Sequence, residues 1–125
     1  MPVIRKMVRF LTKEFQSISI IGGGYYCSVY PEKAIIEKHF DAILIGDGEK
    51  KIIDILDYLK KNNALPTDLK GFWVKKGKKI FRTGKGEFSE NISDFPHLDW
   101  DLWEDLDKYL YFLQMIYFVG SRGCP

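Results

Sequence analysis

A chain of 125 residues, 46% hydrophobic and 29% charged, is one domain's worth of sequence with enough apolar content to bury a core, which excludes wholesale disorder. A net charge of +2 gives no ground for nucleic-acid binding, and two cysteines, Cys27 and Cys124, are too few for a disulfide framework. They suit a reducing compartment, and a cytoplasmic protein is expected. The amino-terminal stretch carries Glu14 and no long apolar run, so no signal peptide is expected. The apolar run at residues 109–119 is broken by Gln114 and is too short to span a bilayer, so no membrane partner is expected.

In chain order, Ile4, Met7, Val8, Leu11 and Phe15 recur at helical spacing with Arg5, Lys6, Arg9 and Lys13 largely between them. This predicts an amphipathic helix over residues 3–15 that needs a sheet to cover its apolar face. A strand over residues 17–21 follows and runs into Gly22, Gly23 and Gly24 in SISIIGGG. An α-β opening, where a doubly wound domain opens β-α, implies that front strands are missing. Residues 25–30 read as a loop, and Pro31 with Glu32 opens a short helix packed through Ile35 and Ile36. In DAILIGDGE, residues 41–49, the apolar run Ala42 to Ile45 reads as a strand covered on both faces. Gly46 and Gly48 punctuate its end. A helix begins at Glu49 with an apolar stripe of Ile52, Ile53, Leu56 and Leu59, ended by Asn62, Asn63 and Pro66. The segment between the two strands is too long for a hairpin and suits a crossover helix, so the strands should be parallel. Their carboxyl ends then both open into glycine turns, the place where α/β sheets bind ligands.

Beyond Gly71 the period changes to two. Residues 72–74 and 80–83 flank a Lys-Lys-Gly-Lys-Lys centre and predict a β-hairpin over 71–86, with Gly77 in a left-handed turn position. Residues 70–86 hold seven basic side chains and no acid, and residues 87–107 hold eight acids and no Lys or Arg. The blocks would attract each other or one partner each. The acidic, aromatic stretch around Pro96, Trp100 and Trp103 reads as an irregular linker leading into a helix, together 87–114, and residues 115–119 as a buried strand running into Ser-Arg-Gly-Cys-Pro.

A strand-to-glycine-to-helix junction brings bare amides to a ligand at the positive end of a helix dipole. Gly22, Gly23 and Gly24 do not form G-x-G-x-x-G, and no G-x-x-x-x-G-K-[ST] occurs, so neither a dinucleotide fingerprint nor a P-loop is present. Asp47 and Glu49 put negative charge where a phosphate would want amides, and favour a hydroxyl, amide or cationic partner. The alternative reading is that these are tight-turn glycines and helix-capping carboxylates. His39 and His97 read as surface or hydrogen-bonded histidines, Trp73, Trp100 and Trp103 as core or interface anchors, and Cys27 as an inert small apolar residue. The lysines around Gly77 read as a solvated hairpin tip.

Taken together, SISIIGGG with its proline-led helix, DAILIGDGE, the 71–83 hairpin, the Asp-rich linker with Pro96 and the closing SRGCP resemble cobalamin-dependent radical S-adenosylmethionine enzymes. GDGE is similar to the family's GEGE, with Asp47 replacing a glutamate. The resemblance implies that residues 1–70 are the carboxyl-terminal part of a cobalamin-binding α/β domain with a partial doubly wound, Rossmann-like parallel sheet. It implies that Gly22, Gly23, Gly24 and Tyr25, and Gly46, Asp47, Gly48 and Glu49, line the cobalamin crevice. It also implies that residues 115–125 begin the radical enzyme barrel, with Cys124 as the first ligand of a [4Fe–4S] cluster that would bind S-adenosylmethionine in a full-length parent. No D-x-H-x-x-G cobalt-ligand motif occurs. Three thiolates are needed for such a cluster, so a chain with the first alone is expected to be inactive by itself. Two function classes follow: a cobalamin-binding part of an enzyme whose barrel lies elsewhere, or a non-catalytic α/β interaction domain without cofactor. In either, a homodimer would complete the short sheet.

Overall fold

A computed structural model describes residues 2–15, 18–89, 91, 93 and 95–115, which fall into two compact units, Met1–Phe88 and Ser89–Pro125. The first unit is mixed α/β. Its elements are α1 (Pro2–Glu14), β1 (Ile21–Gly22), α2 (Tyr25–Val29), α3 (Pro31–Ile35), β2 (Ala42–Leu44), α4 (Glu49–Asn62), β3 (Phe72–Lys76) and β4 (Lys79–Phe81). They build a four-stranded sheet in the order β1-β2-β3-β4. β1 runs parallel to β2, with Ile21 opposite Ala42 and Gly22 opposite Ile43. β3 is antiparallel to β2, and β4 to β3.

β2 is apolar throughout because it is covered on both faces. Ile43 and Ile45 pack with Cys27, Ala34, Ile35 and Phe40 on the α2 and α3 side. Ala42 and Leu44 pack with Ile55, Leu65, Phe72 and Val74 on the α4 side. Each of the larger buried side chains contributes about 1.5–3 kcal/mol of hydrophobic stabilisation. α4 starts at Gly48 and stops where Asn63 turns left-handed at φ 49°, its amide bonded back to the Leu59 carbonyl.

Several expectations change. The hairpin is not an appendage: β3 pairs along β2, Ala42 opposite Val74, so the sheet has four strands rather than two. Gly71, at φ 77°, makes the turn that lays β3 there. Residues 25–30, expected as loop, contain α2, whose first turn is closed by the Ser28 amide donating to the Gly24 carbonyl. The first strand is short: residues 18–20 are not strand, and the Ile20 amide is taken by the Asp41 carboxylate at 2.8 Å. The α4 stripe is also rotated. Ile55 is the fully buried residue, with Leu59 packed against the same cluster, and Ile53 and Leu56 are exposed. Among the described side chains of α1 only Val8 is buried, and Val3, Met7 and Phe10 stay uncovered.

The second unit contains a 3₁₀ turn, Trp100–Leu102, and α5 (Leu106–Leu113). Asp99 accepts from the Asp101 amide at the turn's start, and Trp103 stacks edge-on against Tyr109 with ring centroids 6.0 Å apart. The strand expected over 115–119 and the SRGCP sequence lie outside the described residues, apart from Met115, which is not in a strand.

Candidate functional site

The parallel register of β1 and β2 places the 22–25 and 46–49 turns at the same end of the sheet. Ser28 ties them together: its Oγ accepts a hydrogen bond from the Gly46 amide at 3.1 Å. The two turns expected from sequence are thus neighbours in the fold, joined by a serine in a stretch that reads as loop.

The turns differ in what surrounds them. At Gly23 and Gly24 a Cβ would meet no atom of the described residues within 4 Å, and Tyr25 is 81% exposed. Gly24 has φ 79° and ψ −166°, a region that only glycine occupies readily. The Gly23 and Gly24 amides make no hydrogen bond among the described residues. Gly22 is enclosed on one side, where a Cβ would press on the Phe40 ring at 3.0 Å.

The 46–49 turn is already filled. After β4 the chain returns across it, and the Asp47 amide donates to the Glu87 carbonyl at 3.1 Å. A Cβ on Gly46, at φ 84°, would lie 2.5 Å from that same oxygen, and one on Gly86 would fall inside the Ile45 carbonyl. Only two glycines let these backbones touch. Gly48 caps α4, and a Cβ there would meet the Leu44 side chain at 3.0 Å. Glu49 follows in the helix's first turn, where negative charge is favourable. The spacing Gly84-Lys85-Gly86 was the available signal for this return, since paired glycines after a hairpin mark close backbone approach.

Charges reinforce the filled turn. Glu87 is paired with Lys70, and that hydrogen bond, followed by the charges of Lys70 and Lys51, holds its carboxyl below the usual range. The Lys51 Nζ is buried beside Gly71 and has no hydrogen-bond partner among the described residues. Trp73 is fixed from the other side by Nε1 donating to the Thr83 carbonyl at 2.6 Å, which makes it a core anchor. Cys27 is buried, and burial pushes its thiol up, as expected of an inert thiol.

Among the described residues no group of three or more His, Cys, Asp or Glu side chains is placed to hold a metal ion. Cys124, the expected cluster ligand, lies outside them. No helix among the described residues is long and apolar enough to cross a membrane. For a bulky cofactor the two turns divide: 22–25 presents open backbone that could receive one, and at 46–49 the space is taken by residues 86–87. In comparisons with known proteins, no family model, curated protein or solved structure matches the chain.

Proposed function

We propose that the chain contributes the 22–25 turn to a cobalamin crevice, as part of a protein of the cobalamin-dependent radical S-adenosylmethionine class. The observation that carries this reading is the open backbone of Gly23 and Gly24, whose amides make no hydrogen bond among the described residues, at the carboxyl end of a parallel strand pair. In this reading β1 and β2 belong to a doubly wound, Rossmann-like sheet. Gly22 sets the close approach to Phe40, Gly23, Gly24 and Tyr25 face the cofactor, and Gly46, Asp47, Gly48 and Glu49 hold the turn from behind. The corrinoid, when bound, supplies the metal-centred group-carrier chemistry. In this reading Cys124 would give one of the three thiolates a [4Fe–4S] cluster needs.

The test is titration with hydroxocobalamin followed by visible absorbance of the desalted protein. The chain should retain cobalamin, and Gly23→Val should lose it with an unchanged unfolding temperature. A chain that retains none contradicts the reading.

A second reading, a non-catalytic interaction domain, is favoured by a different observation. Val3, Met7 and Phe10 form an uncovered stripe on α1, and β1 is an edge strand. A second copy would cover them. Dimerisation in light scattering without cobalamin retention would favour this reading, and a monomer at high concentration would count against it.

A further inference from the structure

The unit Met1–Phe88 has a concave site built from residues that the glycine turns do not use. α1 presents Arg5 and Arg9 one helical turn apart, and across from them stand Lys33 of α3 and Lys38 and His39 of the turn that follows it. They line an open cleft of about 500 Å³. That turn leads into the amino end of β2, so the cleft lies towards the opposite end of this strand from the 46–49 turn.

Its charge is one-sided. Glu37 is the one carboxylate among the lining residues, and Arg5 neutralises it through an ion pair of 2.7 Å. Arg9, Lys33 and Lys38 make no ion pair among the described residues, and Lys33 packs its ammonium 5.2 Å from the Tyr30 ring centre. Three cations held on separate segments and facing one cleft sum to a local positive field, stronger there than over a flat surface. Val8, next to Arg9 on α1, is buried, and Arg9 itself is exposed towards the cleft it lines.

The cleft also has an apolar wall. Tyr26 and Ile36 line it, and the Ile36 side chain is left exposed there. A volume of this size lies in the range of small-molecule sites, about 300–1,000 Å³. The cations converge on a pocket and do not run as a stripe along a helix, which separates the site from the footprint of a nucleic-acid backbone. We infer that this cleft binds a small organic phosphate carrying at least two negative charges, its phosphates on Arg9, Lys33 and Lys38 and its organic part against Tyr26 and Ile36.

The experiment is calorimetric titration of the chain with ADP as the probe, at low salt and again near physiological ionic strength. Saturable one-to-one binding is expected, weakening as salt rises. The Arg9→Gln, Lys33→Gln double variant should bind at least about tenfold more weakly. A charge-matched control, Lys60→Gln with Lys61→Gln at the end of α4, should change affinity less than about twofold. All four side chains are exposed, so folding is not at stake. Absence of saturation in the unmodified chain would overturn the inference. So would equal weakening by both variant pairs, or a short DNA duplex that displaces ADP and loses affinity through Arg9 and Lys33 in the same way.

Discussion

The two strand-to-helix turns look alike in sequence, each an apolar strand ending in glycines, yet the fold uses them in opposite ways. At 46–49 glycine is required because another backbone lies against it, with Glu87 and Gly86 filling the space and the Asp47 amide. At 23–24 glycine leaves space that no described residue fills. A missing Cβ can therefore mean a contact inside the protein or room for something outside it. The nearest backbone atoms decide which.

The largest effects should come from putting a Cβ into the filled turn. Gly86→Ala and Gly46→Ala each force apart two backbones, and each should cost about 3 kcal/mol or more in denaturant unfolding. In the open turn the same change separates conformation from contact. Gly24→Ala should cost about 1–3 kcal/mol, from backbone strain alone at φ 79°. Gly23→Ala should stay within about 0.5 kcal/mol. If Gly23→Ala destabilises as strongly as Gly46→Ala, the two turns are not different in kind. Ser28→Ala tests the tie between them and should cost about 1 kcal/mol by leaving the Gly46 amide without its acceptor.

The smallest effect concerns pH. Lys70 holds the Glu87 carboxyl below its usual range, so its contribution is complete above that range and is lost as pH falls through the lowered value. Both side chains are well exposed, so the slope is slight. Replacing the carboxylate, Glu87→Gln, should flatten the acid side of the stability profile. A steeper profile in the variant would contradict the pairing.

How much of this could be read from sequence follows from the range of the interactions. The helix Glu49–Asn62, the proline-led helix and the left-handed Gly77 are written in neighbouring residues, and the first glycine pair of each turn stood out for the same reason. What was missed depends on distant partners. The Tyr25–Val29 helix has no apolar period long enough to notice over five residues. Pairing of β3 with β2 joins Ala42 to Val74, and the return of Gly86 across Ile45 joins segments some forty residues apart; neither leaves a local mark except glycine. The choice of Ile55 over Ile53 and Leu56 is likewise made by the sheet it meets, since all three positions fit a helical stripe.

The most direct test is residue-resolved amide hydrogen exchange with and without hydroxocobalamin. In the free chain the Gly46 and Asp47 amides should exchange slowly and those of Gly23 and Gly24 fast. Added cobalamin should slow Gly23 and Gly24 and leave Gly46 and Asp47 as they were. Equal protection of the two turns in the free chain, or no response at Gly23 and Gly24 to the cofactor, would contradict the account.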